Sequence, residues 1–211
     1  MLEVSRLTDA NEYLLTYPIV LFDMDDTLYS EKEYVRSGFE AIASHYPQIP
    51  NMADKLWSAF ENGEQPINVV LSAEGFLTPE NVTDCLQIYR SHLPHISLYS
   101  DAVEVLCSLR AQGIPLGLIT DGRPEGQRNK IEALGIEPYF DKIIITDELG
   151  GEKYRKPHTK AFTEMQRFFN VPFQDMVYIG DNIRKDFIAP QELGMGSVYF
   201  NNPEGLYSAK R

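Results

Sequence analysis

Short apolar runs rich in Val, Ile, Leu and Phe recur along the chain, each followed by polar residues and then by a helical period. They are Pro18 to Met24, Ile114 to Thr120, Lys142 to Thr146, Met176 to Gly180 and Ser197 to Phe200. Near-continuous apolar strands separated by helices predict a parallel sheet covered on both faces. The helices show in their period. Ala102, Val105, Leu106 and Leu109 recur at helical spacing, with Ser100 or Asp101 placed to cap the segment and Gly113 to stop it. Ile131 and Leu134 repeat the pattern ahead of Gly135, and Ala161, Met165 and Phe168 do so in the next crossover.

One interval breaks the alternation, because the stretch between the first strand and the helix near Asp101 is too long for a simple crossover. It reads as helices alone, over Glu31 to His45, Ala53 to Glu61, Ile67 to Ala73 and Pro79 to His92, broken at Pro47, Pro50, Gly63, Pro66 and Gly75. The expected fold class is therefore α/β, a Rossmann-like parallel sheet with helices on both faces plus a small inserted helical module. The expected division is residues 1–29 and 98–211 for the α/β core and 30–97 for the insert. The first 17 residues are expected to add a short helix from Asp9 to Leu15.

Ligands of open parallel sheets bind beyond the carboxyl ends of the strands, so the residues that end each strand form one set. The first strand ends in Asp23-Met24-Asp25-Asp26-Thr27, the second in Thr120-Asp121-Gly122, and the fourth in Gly180-Asp181-Asn182, with Lys156-Pro157 ahead of the helix that leads into it. Acids gathered at one point repel each other and, with other hard oxygen donors, suit Mg2+. A lysine and a threonine hydroxyl suit phosphate oxygens. Asp23 and Asp25 lie two positions apart and so project toward one pocket.

In these residues the chain resembles the haloacid dehalogenase superfamily of phosphohydrolases, from about Pro18 to Phe200. The DxDxT motif is Asp23 to Thr27, the second-motif hydroxyl is Thr120, the third-motif lysine is Lys156, and the GDxxxxD motif runs from Gly180 through Asp181 to Asp186. The resemblance implies a Mg2+-dependent phosphatase acting on a small phosphorylated metabolite. Asp23 would form an aspartyl-phosphate and Asp25 would serve as acid and then base. Mg2+ would be held by the Asp23 carboxylate, the Asp25 backbone carbonyl and Asp181. Thr120 and Lys156 would hold and neutralise the transferring group, with Asp186 orienting Lys156 or a metal-bound water. The acid at position 25 points to phosphate esters rather than carbon–halogen bonds. The insert would be a cap over the substrate, with Tyr34 and Arg36 as candidates for reading the leaving group. Asp121, Gly122, Arg123 and Asn182 are further candidates for contacts to phosphate or substrate.

Charge sharpens this picture. Nineteen basic against 31 acidic residues give a net charge of −12, which disfavours nucleic acid and anionic lipid as partners and requires a local source of positive charge for an anionic substrate. No apolar run reaches a membrane-spanning length and the start lacks the order of a signal peptide, so a soluble cytoplasmic protein is expected. Cys85 and Cys107 are expected to be buried thiols. Phosphoryl transfer to a second hydroxyl, as in a phosphomutase, would use the same motifs and stays open. A phospho-receiver module shares the acids and the Lys-Pro pair but carries no helical insert of this size.

Overall fold

A computed structural model describes residues 1–206. In chain order the elements are β1 (Leu2–Val4), the short helix α1 (Asn11–Leu14), β2 (Ile19–Phe22), helices α2 (Glu31–His45), α3 (Met52–Glu61), α4 (Pro66–Ala73) and α5 (Pro79–Ser91), then α6 (Ser100–Ala111), β3 (Leu116–Thr120), α7 (Pro124–Leu134), β4 (Lys142–Ile145), α8 (Lys160–Phe169), β5 (Met176–Gly180), α9 (Ile188–Leu193) and β6 (Gly196–Phe200). The strands form one parallel sheet in the order β1-β6-β5-β2-β3-β4. This is a Rossmann-like α/β fold.

The order places the functional end. From β2 the chain winds outward through β3 and β4, then crosses to the other side of β2 to lay down β5 and β6. The carboxyl end of β2 is thus the point where the winding reverses, which in open α/β sheets is where a crevice forms. Burial explains why β2 can be central: Ile19, Val20, Leu21 and Phe22 are all buried. Ile19 and Leu21 join Ile119, Ile144, Phe162, Met165 and Tyr178 in one apolar cluster. Side chains alternate along a strand, so Asp23 continues the Ile19–Leu21 side. On that side α8 supplies Ala161, Phe162 and Met165 to the cluster, and Phe162 meets Tyr178 edge to face at 5.0 Å.

The chain divides into two compact units, residues 1–31 with 97–206 and residues 32–96. The second unit is helical, with its own core of Val35, Phe39, Ile42, Met52, Leu56, Leu71 and Cys85. Thr78 caps α5 by accepting a hydrogen bond from Asn81 N at 3.1 Å.

Two features differ from expectation. The amino-terminal segment holds the edge strand β1, paired with β6, before a 3-10 turn at Leu7–Ala10 and α1. At three residues, with Val4 alone of them buried, β1 is too short to carry a strand period. Cys107 is exposed, because α6 turns Ala102, Val105, Leu106 and Leu109 inward and leaves position 107 on its outer side. Among the described residues no helix is long and apolar enough to cross a membrane.

Candidate active site

Beyond the end of β2, a pocket of about 380 Å3 is lined by Asp23, Asp25, Glu31, Asp121, Arg155, Lys156, Asp181, Asn182 and Lys185. All belong to the α/β unit. Asp23 is anchored by its backbone, whose N–H donates to Ile179 O at 2.8 Å and so extends the β2–β5 ladder by one residue. Lys156, on the loop before α8, donates from Nζ to Asp23 Oδ1 at 2.6 Å and to the Tyr178 hydroxyl at 2.7 Å. The same ammonium lies 2.9 Å from Asp186 Oδ1 as an ion pair, although this oxygen has no hydrogen bond of acceptable direction.

The carboxylates outnumber the charge that faces them. One oxygen from each of Asp23, Asp181 and Asp186 lies within 4.8 Å of the others. Burial pushes the Asp23 carboxyl up to about 7, against the pull of Lys156. Burial, with the charges of Asp23 and Asp186, pushes Asp181 up to about 9. Lys156 is held well above its ordinary value, because Asp186 and Asp23 outweigh the cost of burying it. Converging hard oxygen donors that are short of positive charge fit a divalent cation of the Mg2+ type.

Glycine at position 180 has a local cause. A Cβ there would stand 2.5 Å from Asp186 Oδ2, the oxygen that accepts from Asn182 N at 2.9 Å. The end of β5 and the turn of Asp181 to Asp186 therefore close tightly on each other.

Asp25 is held differently. Its Oδ1 takes hydrogen bonds from the Tyr29 hydroxyl and from Lys130 Nζ, the latter at 2.6 Å, and its Oδ2 takes one from Gln127 Nε2 at 2.9 Å. Burial alone would raise this carboxyl, but the Lys130 charge and the three hydrogen bonds outweigh it and hold Asp25 below the usual range. Thr120 ends β3, buried, with Oγ1 2.5 Å from Gln127 Nε2. Glu31 stands beside this group; burial, and then the Asp25 charge, push its carboxyl up to about 8.

The chain from residue 20 to residue 200 matches the family model of haloacid dehalogenase-like hydrolases. The chain belongs to that family. A glyceraldehyde 3-phosphate phosphatase of Methanocaldococcus jannaschii is 31% identical over 193 residues, which is 85% of this chain and 82% of that protein. A human N-acylneuraminate-9-phosphatase is 30% identical over 129 residues, covering 60% and 50% of the two chains. Among solved structures, a haloacid dehalogenase-superfamily hydrolase of Geobacter sulfurreducens superposes with a TM-score of 0.64 at 17% identity, over 88% of this chain and 87% of that one. A magnesium-bound hydrolase of the same superfamily from Bacillus subtilis gives 0.62 at 21% identity, over 87% and 86%. At such identities these two speak for the fold alone. The chain is a phosphoric monoester hydrolase of the haloacid dehalogenase type.

Within this member of the family, the motif residues Asp23, Asp25, Lys156 and Asp181 line one pocket, and Asp186 lies beneath it against Lys156. Asp121 and Asn182 also line the pocket. Asp121 is engaged from several sides, by Thr146 Oγ1 at 2.9 Å, the Lys156 amide at 3.0 Å and Lys185 Nζ at 3.1 Å. Gly122 adopts a φ of +144°, and Arg123, exposed, directly precedes α7. Tyr34 and Arg36 belong to the helical unit. The Tyr34 ring packs against Tyr89 at 5.5 Å and His92 at 5.1 Å, and the Arg36 guanidinium stands 4.8 Å over Trp57.

Sequence reasoning missed Tyr29, Gln127, Lys130 and Tyr178 as parts of this network. One signal was available for the helical pair: a glutamine and a lysine three positions apart, on the face of α7 that also carries Ile131. Asp26 is buried with a φ of +53°. Its carboxylate accepts from Glu31 N at 2.9 Å and Leu206 N at 2.7 Å, tying the loop to the carboxyl-terminal segment.

Proposed function

We propose that this protein hydrolyses a small phosphorylated metabolite through an aspartyl-phosphate on Asp23, with Mg2+ as cofactor. The observation that carries the reading is the gathering of Asp23, Asp181 and Asp186 within 4.8 Å around a buried lysine that touches the first and third of them. Asp23, the Asp25 backbone carbonyl and Asp181 would hold the metal, which would supply Lewis-acid stabilisation of charge on the phosphoryl oxygens. Asp23 attacks phosphorus as the ester P–O bond breaks. Lys156 keeps Asp23 oriented and offsets the negative charge that builds during transfer. Asp25 gives a proton to the departing oxygen, then takes one from the water that attacks the phosphoenzyme. At rest its partners favour the carboxylate; the arriving phosphate adds negative charge beside it and favours the protonated form that the first step needs. Thr120 holds a phosphoryl oxygen, and Lys185 and Arg155, both lining the pocket, supply the local positive charge that an acidic protein needs to admit an anion. Asp121, Gly122, Arg123 and Asn182 are the candidates for further contacts to phosphate or substrate.

The helical unit acts as the cap that encloses substrate, with Tyr34 and Arg36 as its candidates for reading the leaving group. Glyceraldehyde 3-phosphate, the compound named for the Methanocaldococcus jannaschii relative, is the first to assay. The test is Mg2+-dependent release of inorganic phosphate from an aryl phosphate and from a panel of phosphorylated metabolites. Asp23→Asn is expected to abolish turnover with the fold intact by circular dichroism, and undiminished activity in that variant would refute the mechanism. Phosphate reappearing on an isomer of the substrate, instead of free in solution, would make the protein a mutase.

A further inference from the structure

Three side chains outside the four motifs, Tyr29, Gln127 and Lys130, hold Asp25. Gln127 and Lys130 lie three positions apart on the buried face of α7, so both reach the same neighbour. Gln127 Nε2 donates to Asp25 Oδ2 at 2.9 Å and lies 2.5 Å from Thr120 Oγ1, which bridges the second motif to the first. Lys130 Nζ meets Asp25 Oδ1 at 2.6 Å, from a side chain only 6% exposed. It also stands 5.9 Å from the centre of the Tyr29 ring, whose hydroxyl donates to the same Oδ1.

A buried lysine is costly unless its charge is matched, and a tether between a helix and a strand does not require one. Here the matching charge is a carboxylate that lines the pocket and stays 21% exposed. Its oxygens are engaged from different sides, Oδ1 by Lys130 and Tyr29 and Oδ2 by Gln127, which fixes the plane of the carboxyl as well as its position. The backbone makes room for the arrangement: a Cβ at Gly122 would lie 3.0 Å from Gln127 Cδ.

We infer that Gln127 and Lys130, with Tyr29, are positioning residues that lock the Asp25 carboxyl in place for its two proton transfers and couple it to Thr120. The inference rests on the function proposed above. In the first step the ester P–O bond breaks as the bond from Asp23 to phosphorus forms, and the Asp25 proton goes to the departing oxygen. In the second, water bonds to phosphorus, the bond to Asp23 breaks, and Asp25 recovers a proton from that water. A misplaced Asp25 impairs both proton transfers. It leaves untouched the attack on an ester whose leaving oxygen needs no proton.

The experiment compares an alkyl phosphate that the protein hydrolyses with dinitrophenyl phosphate, using the full chain with saturating Mg2+ and the variants Lys130→Met, Gln127→Leu and Tyr29→Phe. Because kcat/KM reports steps only through the first irreversible one, it isolates departure of the leaving group. For Lys130→Met it is expected to fall about 100-fold or more on the alkyl ester and less than about tenfold on the dinitrophenyl ester. On the dinitrophenyl ester kcat and KM should fall together, as phosphoenzyme accumulates behind a slow second step. Lys130→Arg should recover part of the loss. Equal losses on both esters, or no loss on either, would overturn the inference. Should Lys130→Met not fold, Gln127→Leu and Tyr29→Phe decide it by the same ratio. Asp23→Asn and Asp25→Asn run alongside: activity in the first, or no leaving-group selectivity in the second, removes the underlying reading. An inactive first and a selective second, with unselective clamp variants, overturn the clamp alone.

Discussion

Lys156 donates to Asp23 across 2.6 Å with both side chains withdrawn from solvent, at 0% and 4% exposure. The pair is a buried charge contact in which the lysine also answers Asp186. Removing one partner of such a pair strands the other, at a cost of about 3–5 kcal/mol. Lys156→Met is therefore expected to lower stability by about that amount in urea unfolding of the metal-free protein at neutral pH, and to abolish detectable turnover. A variant as stable and as active as wild type would show that the contact matters to neither.

Metal-free stability should depend on pH with a definite sign. Asp23 and Asp181 have folded-state values of about 7 and about 9, raised from an ordinary 3.8. Between the ordinary and the raised values the folded state holds more protons than the unfolded one, so stability falls as pH rises. The contribution is complete below about pH 4 and is lost progressively up to about pH 9. Thermal melts in chelator, from pH 5 to pH 9, should show a falling midpoint beyond that of Asp181→Asn, and added Mg2+ should raise the midpoint most at the alkaline end. A flat or rising difference between the two proteins would contradict it.

Gly180→Ala should act through Asp186. The added Cβ would lie 2.5 Å from Asp186 Oδ2 and displace a carboxylate that orients Lys156 and closes the turn after Asp181. Loss of such a supporting group weakens metal affinity by about 10–100-fold. Activity titrated with Mg2+ should show that shift in midpoint; an unchanged midpoint would place Asp186 outside the metal site.

The adjacent acids should separate by phenotype. Asp26→Ala removes the acceptor of two backbone N–H groups, at Glu31 and Leu206, and puts alanine at a φ of +53°. Stability is expected to fall by about 1–3 kcal/mol per amide left without a partner. Asp25→Asn should keep the fold and lose turnover of an alkyl phosphate. Chemical denaturation beside initial rates checks both, and the reverse pattern would exchange their roles.

Much of this was legible in the chain itself. The strand runs from Pro18, Ile114, Lys142, Met176 and Ser197 correspond to β2 to β6, because strands buried on both faces must be apolar throughout. Asp23, Asp25 and Asp181 were locatable because strand ends in a parallel sheet converge, and Lys156 because its Lys-Pro pair precedes the helix that leads into the fourth strand run. Other features were not. Strand β1 depends on tertiary pairing with β6 and not on a local period. Gln127 and Lys130 look like polar residues on an ordinary helix until the fold turns that face inward to Asp25. Tyr178 reads as one more strand residue, and its hydroxyl meets Lys156 through a loop 22 positions earlier in the chain.

The most direct test of the account is to trap the phosphoenzyme. Protein quenched with acid during turnover and then reduced with borohydride is expected to carry homoserine in place of Asp23 in peptide mass mapping, and none in Mg2+-free controls. An unmodified Asp23 under turnover, or reduction at another carboxylate, would contradict the assignment of the nucleophile.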